Sequence, residues 1–302
     1  MKRTEPFEFY QPTTLAEASR LLKDNGSGGR FLAGGTDLVI AMKEKGLLPK
    51  YIVDLKRVPG LTGIRENNDG TMTIGALTTM YAIETSPVIR KKYPFLAQSA
   101  AEVGSIQIRN RATVGGNMAN ATPSADVAPA LIALNGAAKI AGAAGERTLP
   151  LEEFFRGPGQ NAMSVDEILT EITIPKTSPQ LVGEYIKFSP RDMMDLAYIG
   201  VAVGYNLASD KKCTAVRIVL GAVAPTPIRA KNSEALLEDK VLSEELATQV
   251  GDEAARESKP ISDVRSSADY RRAMVGVMTK RALLNAAAGP AKSWVDRRDR
   301  RY

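Results

Sequence analysis

Histidine is absent from the 302-residue sequence, and cysteine occurs once, at Cys213. Without histidine there can be no Ser-His-Asp triad, no histidine general base, no histidine metal ligand and no histidyl-linked flavin. A single thiol cannot make an internal disulfide, a structural zinc site or an iron–sulfur cluster. No apolar run approaches the roughly 20 residues of a membrane span. The basic start, Met1 to Arg3, is not followed by an apolar stretch, so no signal peptide is expected and a cytoplasmic location follows. What survives these absences is binding, or chemistry carried by an organic cofactor.

The charge balance narrows the partners. Forty Lys and Arg stand against 34 Asp and Glu, for a net charge of +6, and the two signs are interleaved. Basic residues gather at Lys91-Lys92, at Arg271-Arg272 and most densely in the tail from Arg297 to Arg301. No basic strand carries the aromatics of an RNA-binding surface, so a solvated surface is expected and nucleic-acid binding is not. An apolar content of 44% in 302 residues suits two globular domains.

Thr14 and Glu17 have the spacing of a capping box ahead of a helix whose apolar face is Leu15, Ala18, Leu21 and Leu22. Strands are expected over 30–33, 51–55, 72–76 and 168–174, and helices over 38–45, 95–103 and 128–134. Residues 104–126, rich in Gly, Asn, Ser, Thr and Ala, show no helical period and read as a long functional loop. A boundary falls in the Pro-punctuated segment 176–180. Beyond it, alternating runs over 182–188, 197–207 and 215–222 predict an antiparallel sheet. Helices follow over 233–238, 243–257 and 268–288, the last with Tyr270, Met274, Val277 and Leu284 on one face.

Two glycine pairs carry the chemical signal. Gly34-Gly35 lies between a strand and a helix start, where backbone amides can approach a phosphate. Thr36 and Asp37 follow as N-cap candidates. Gly115-Gly116 is flanked by Thr113 and Asn117, with Asn120 nearby. Two such loops suit a diphosphate held between them, hence a dinucleotide. No P-loop motif is present. Gly157-Pro158-Gly159-Gln160-Asn161-Ala162 matches G-x-G-x-x-A in letters only and reads as a loop. Glu152-Glu153 reads as solvated surface, Cys213 as a half-buried structural thiol, and Trp294 as a packing residue of the tail.

The segments Phe31 to Leu38 (FLAGGTDL) and Ala112 to Asp126 (ATVGGNMANATPSAD), the latter preceded by Ile108-Arg109-Asn110, resemble the two FAD-binding segments of the molybdenum hydroxylase family. The resemblance spans about residues 4–285. It implies an α+β chain: an FAD-binding fold of the vanillyl-alcohol-oxidase (PCMH) type in two subdomains, followed by a C-terminal domain of antiparallel sheet plus helix bundle. The corresponding limits are 1–176 (subdomains 1–57 and 58–176), 177–288, and a charged tail 289–302.

The resemblance also implies site residues. Leu32, Ala33, Gly34, Gly35, Thr36, Asp37 and Leu38 would wrap the diphosphate of a noncovalent FAD. Thr113, Val114, Gly115, Gly116 and Asn117 would hold its other side, with Ala76, Val103, Asn120, Thr122 and Ser124 around them. Asp126 would hydrogen-bond the ribityl chain or flavin edge, Leu169 pack near the adenine, Lys187 reach the ring's polar edge, and Leu196 cover a ring face. Some relatives have His-Ser where this chain has Thr36-Asp37, and the cysteine-rich insertion of one branch is missing.

The function implied is electron transfer within a multi-subunit molybdenum hydroxylase. A large subunit would carry the molybdopterin-cytosine dinucleotide and a small one two [2Fe-2S] clusters, assembled as a dimer of heterotrimers. FAD on this chain would pass electrons to an external acceptor. Two alternatives stand beside it: a stand-alone FAD-dependent oxidoreductase of the same fold, and a nucleotide-binding assembly protein without turnover.

Overall fold

The computed structural model describes residues 5–191 and 193–289. The first sheet is parallel, with Tyr51–Asp54 between Glu8–Tyr10 and Gly29–Leu32. The helix Leu15–Asn25 lies between its first two strands in sequence and buries Ala18 and Leu22 with Tyr51 and Val53. Thr14 Oγ1 accepts from the Glu17 amide at 3.1 Å, and Glu17 Oε2 accepts from the Thr13 amide at 3.0 Å. The capping box forms, with its return bond shifted back by one residue.

The second sheet is antiparallel, in the order Ile64–Glu66, Met72–Gly75, Ile168–Ile174, Ala137–Gly142, Gly145–Pro150. Between Met72–Gly75 and Ala137–Gly142 the chain runs through several short helices. Two of them, Ile106–Arg109 and Val114–Asn120, occupy the segment expected to be an irregular loop. Helices of 4 and 7 residues are too short to display an apolar period, so only their caps, Ser105 and Thr113, could have marked them. The Gly157–Ala162 segment is likewise not an open loop. Phe155–Gly157 and Gln160–Asn161 pair as a hairpin about Pro158-Gly159.

The third sheet, Leu181–Phe188, Ile199–Leu207, Lys212–Gly221 and Ile228–Arg229, is antiparallel as expected. Its central strand is not half-polar, however: Ile199 to Tyr205 are buried without a break. Both faces are covered. Ala202 and Val219 join the core under the helices Pro94–Ala101 and Val127–Ala133, while Val201, Val203 and Ile218 belong to a second core built with Ala268–Ala287, on which Glu244–Glu257 packs. A strand buried on two sides reads as a continuous apolar run. Cys213 is fully buried in this second core.

The last helix presents a different face from the one its letters suggested. Tyr270 and Val277 are exposed, while Arg271, Val275, Met278, Thr279, Ala282, Leu283 and Ala286 are buried. Arg271 draws the register round: its guanidinium donates to Asp263 at 2.6 Å and lies 5.4 Å from the Tyr198 ring centre. Neither partner belongs to the helix: Asp263 lies in the segment just before it and Tyr198 far upstream. Trp294 and the basic tail lie outside the described residues.

The two long C-terminal helices cross at glycine. A Cβ placed on Gly251 would lie 2.5 Å from the Gly276 carbonyl oxygen. Gly251→Val should therefore force the helices apart and lower stability by roughly 2 kcal/mol, as overpacked cores do. Urea denaturation followed by far-UV circular dichroism checks this; an unchanged midpoint would contradict the crossing.

Candidate functional site

The first glycine segment leaves the parallel sheet at Leu32 and turns into the helix Leu38–Glu44. Gly35 takes φ +80°, a region where a side chain is strained. Gly34 is required for another reason: a Cβ there would lie 1.9 Å from the Arg111 carbonyl oxygen. The backbone of this segment is thus seated directly on the chain leading into the second glycine pair.

A buried carboxylate braces it from behind. Asp54 accepts from the Lys56 amide at 3.1 Å and the Lys56 ammonium at 2.5 Å, and from Gln11 at 3.3 Å. Burial pushes this carboxyl up, but those hydrogen bonds outweigh it and hold it below the usual range. Lys56 Nζ also reaches the Ala33 carbonyl at 3.4 Å. Among the described residues, the amides of Gly34, Gly35, Thr36 and Asp37 have no hydrogen-bond partner. Asp37 occupies the N-cap position, yet neither it nor Thr36 caps the helix through its side chain. Partial burial raises the Asp37 carboxyl.

The second segment differs. The Val114 amide donates to Thr78 O at 3.0 Å, Gly115 to Ala76 O at 2.8 Å and Asn117 to Thr113 O at 3.0 Å. The Gly116 amide donates to Thr113 Oγ1 at 3.2 Å. Its amides are already engaged, so it offers space and side chains rather than free N–H groups. A Cβ on Gly115 would strike Ala76 at 2.5 Å; one on Gly116 would sit 2.9 Å from Thr113 Oγ1 and 3.7 Å from Ala33 Cβ, in the gap between the two segments. Asn117 Oδ1 is buried without a partner.

Around this gap opens a cavity of about 690 Å³. Nearly all the site residues expected from the sequence line it: Ala33 to Leu38, Ala76, Val103, Thr113, Gly115 to Asn117, Asn120, Thr122, Ser124, Asp126, Leu169 and Leu196. Three do not. Leu32 lies beneath Gly35, Val114 is fully buried in the core, and Lys187 stands behind the wall, outside the lining. Its ammonium donates instead to Asp126 Oδ2 and to the Glu102 carbonyl, both at 3.0 Å. Asp126 Oδ1 accepts from the Tyr185 hydroxyl at 2.9 Å. Burial pushes the Asp126 carboxyl up to about 6, against the pull of Lys187 and Tyr185. The Tyr185 phenol is raised well above its ordinary value, by burial first and the Asp126 charge second.

The structure adds residues that sequence reasoning missed. Gly159, at the tip of the hairpin, lines the cavity with φ +70°, and its amide donates to Ala121 O at 3.0 Å. The Pro-Gly pair was a turn signal, but nothing in it announced a cavity wall. Opposite, Met194 and Asp195 line the rim beside Leu196, which is half exposed. Met194 takes φ +57° and donates its amide to Gly104 O at 3.4 Å. The wall at Val103 is tied by Arg109, which donates to Glu84 at 2.6 Å and to Val103 O at 3.4 Å. Among the described residues, no cluster of three or more His, Cys, Asp or Glu is placed to hold a metal, and no helix is long and apolar enough to cross a membrane.

Comparison with known proteins gives two family matches: the FAD binding domain in molybdopterin dehydrogenase over residues 5–177, and the CO dehydrogenase flavoprotein C-terminal domain over residues 184–286. The carbon monoxide dehydrogenase medium chain of Hydrogenophaga pseudoflava is 35% identical over 93% of this chain and 96% of its own length. A putative xanthine dehydrogenase FAD-binding subunit of Escherichia coli is 31% identical with the same coverage. The solved carbon monoxide dehydrogenase from H. pseudoflava, in a form lacking the Mo-pyranopterin moiety, superimposes with a TM-score of 0.92 at 35% identity, covering 96% of this chain and 100% of that one. Quinoline 2-oxidoreductase from Pseudomonas putida gives 0.89 at 29% identity, covering 95% and 99%.

Glu84→Gln leaves the buried Arg109 guanidinium without its carboxylate. A loss of about 3 kcal/mol is expected, as for other broken buried ion pairs. Thermal melting of the purified chain checks it, and a change within error would remove this pair from the account of the wall.

Proposed function

This chain belongs to the family of FAD-binding subunits of molybdenum hydroxylases, and we propose that it is the subunit through which such an enzyme passes electrons to an external acceptor. The observation that carries the reading is that one cavity is lined both by Gly34 to Asp37, whose amides are unpartnered, and by Asn117, whose buried Oδ1 is unpartnered. The amides suit the oxygens of a diphosphate, and the amide oxygen of Asn117 suits a ligand hydroxyl. A dinucleotide offers both, and 690 Å³ is within the range of cavities that enclose small-molecule ligands.

FAD fits these residues as a noncovalent ligand, since the chain has no histidine and its one cysteine is buried away from the cavity. When bound, FAD supplies the redox chemistry, storing two electrons and releasing them. The chain's own task is to bind and orient. Gly34 to Asp37 donate to the diphosphate, and Gly115 and Gly116 let it approach the backbone on the other side. Thr113 fixes the turn that presents Asn117. Ala76, Asn120, Thr122 and Ser124 complete the wall. Leu169, almost fully buried, gives an apolar surface for the adenine, and half-exposed Leu196 gives one for the ring.

In this reading the chain divides near residue 177 into an FAD-binding part and a C-terminal part. Its partners are a large subunit with molybdopterin-cytosine dinucleotide and a small subunit with two [2Fe-2S] clusters, as a cytoplasmic dimer of heterotrimers. The names of the relatives, a medium chain and an FAD-binding subunit, support a multi-subunit assembly.

The test is the visible spectrum of the purified chain, with acid release of its pigment. The reading expects a two-band flavin spectrum and stoichiometric FAD in the supernatant. Gly116→Val should reduce FAD retention at least tenfold while leaving the far-UV spectrum intact, because its side chain enters the gap facing Ala33. A colourless chain that takes up no added FAD would overturn the reading.

A further inference from the structure

Asp126, Tyr185 and Lys187 form a buried cluster that joins both parts of the chain at one end of the cavity. Asp126 precedes the helix Val127–Ala133, whereas Tyr185 and Lys187 stand two apart on the strand Leu181–Phe188. The side chains of Asp126 and Lys187 are 8% and 6% exposed, so their ion pair is shielded from solvent. Of the two, only Asp126 lines the cavity. Lys187 spends its second contact on the carbonyl of Glu102, next to Val103 and Gly104 of the cavity wall.

We propose that Lys187 and Tyr185 are positioning residues for this end of the cavity: they hold the Asp126 carboxylate ionised and fixed as an acceptor for a ligand hydroxyl or N–H, and Lys187 sets the spacing of Asp126 from the Val103–Gly104 wall. The inference rests on the FAD reading above, and it moves Lys187 from contact with the flavin ring to action through Asp126. The chemistry supports this division of labour. Both Asp126 oxygens have a donor inside the chain, and each keeps acceptor capacity, because a carboxylate oxygen has two lone-pair sites. Burial works against the ionised form. The groups that act on Asp126 are Lys187 and Tyr185 from the strand, which favour ionisation, and Glu102 from the end of the Pro94–Ala101 helix, which opposes it. Removing Lys187 therefore moves protonation of Asp126 upward, toward neutral pH, and a protonated Asp126 is a poorer acceptor.

A double-mutant cycle on the full-length chain tests the proposal. The apo-protein is titrated with FAD from about pH 5 to 8, flavin fluorescence reporting the Kd. In the wild type the affinity should be level near pH 7–8 and fall as pH drops through about 6. Lys187→Met should weaken FAD at pH 7 about tenfold and move the pH midpoint upward, since a hydrogen bond to a charged group is at stake. Lys187→Arg should restore most of both, and Tyr185→Phe should move the midpoint in the same direction by less. Asp126→Asn should abolish the pH step, and in that background Lys187→Met should change Kd less than about threefold, as expected when one residue acts through the other. Equal factors in both backgrounds would show that Lys187 acts on the ligand directly and would overturn the proposal. So would a pH step that survives Asp126→Asn. If the wild-type chain takes up no FAD at any pH, the FAD reading itself falls. FAD uptake with an unshifted midpoint in Lys187→Met overturns only the positioning role.

Discussion

Backbone has to touch backbone at the floor of the cavity. The position of a Cβ on Gly34, 1.9 Å from the Arg111 carbonyl oxygen, is one that no side chain can occupy. The rest of the site depends on that approach. It brings Gly34 to Asp37, with their free amides, and Asn117 into the lining of one cavity, with Gly116 facing Ala33. Two segments some 80 residues apart in sequence can be held this way only if the elements behind each are fixed.

Three cation–carboxylate pairs do the fixing. Lys56 with Asp54 reaches the Ala33 carbonyl, Arg109 with Glu84 the Val103 carbonyl, and Lys187 with Asp126 the Glu102 carbonyl. Each carboxylate is largely enclosed, which makes the pair costly to break and so geometrically firm. At Ala33 the consequence is direct. Among the described residues no peptide bond is cis, so a carbonyl drawn back toward Lys56 turns the following Gly34 amide the opposite way.

The two glycine pairs were legible in the sequence because the physical need for glycine leaves a mark in the letters. Their division of labour was not. That the Val114 and Gly115 amides are spent on Thr78 and Ala76 depends on a strand end and turn well upstream in the chain. The same holds for Lys187, which lies on a strand whose partners make it internal, and for the last helix, whose buried face follows Arg271 to Asp263 and Tyr198. The alternation expected in the third sheet gave way where helices cover both faces of Ile199–Tyr205. Gly159 reached the cavity through a hairpin whose docking on Ala121 no local pattern encodes.

The central claim is that the amides of the first glycine segment grip a diphosphate joined to a second nucleotide half. Calorimetric titration of the apo-protein with FAD, FMN and riboflavin tests it most directly. FAD should bind at least a hundredfold more tightly than either smaller flavin, since FMN and riboflavin lack the diphosphate those amides would engage. Equal affinity for FMN and FAD would contradict the claim.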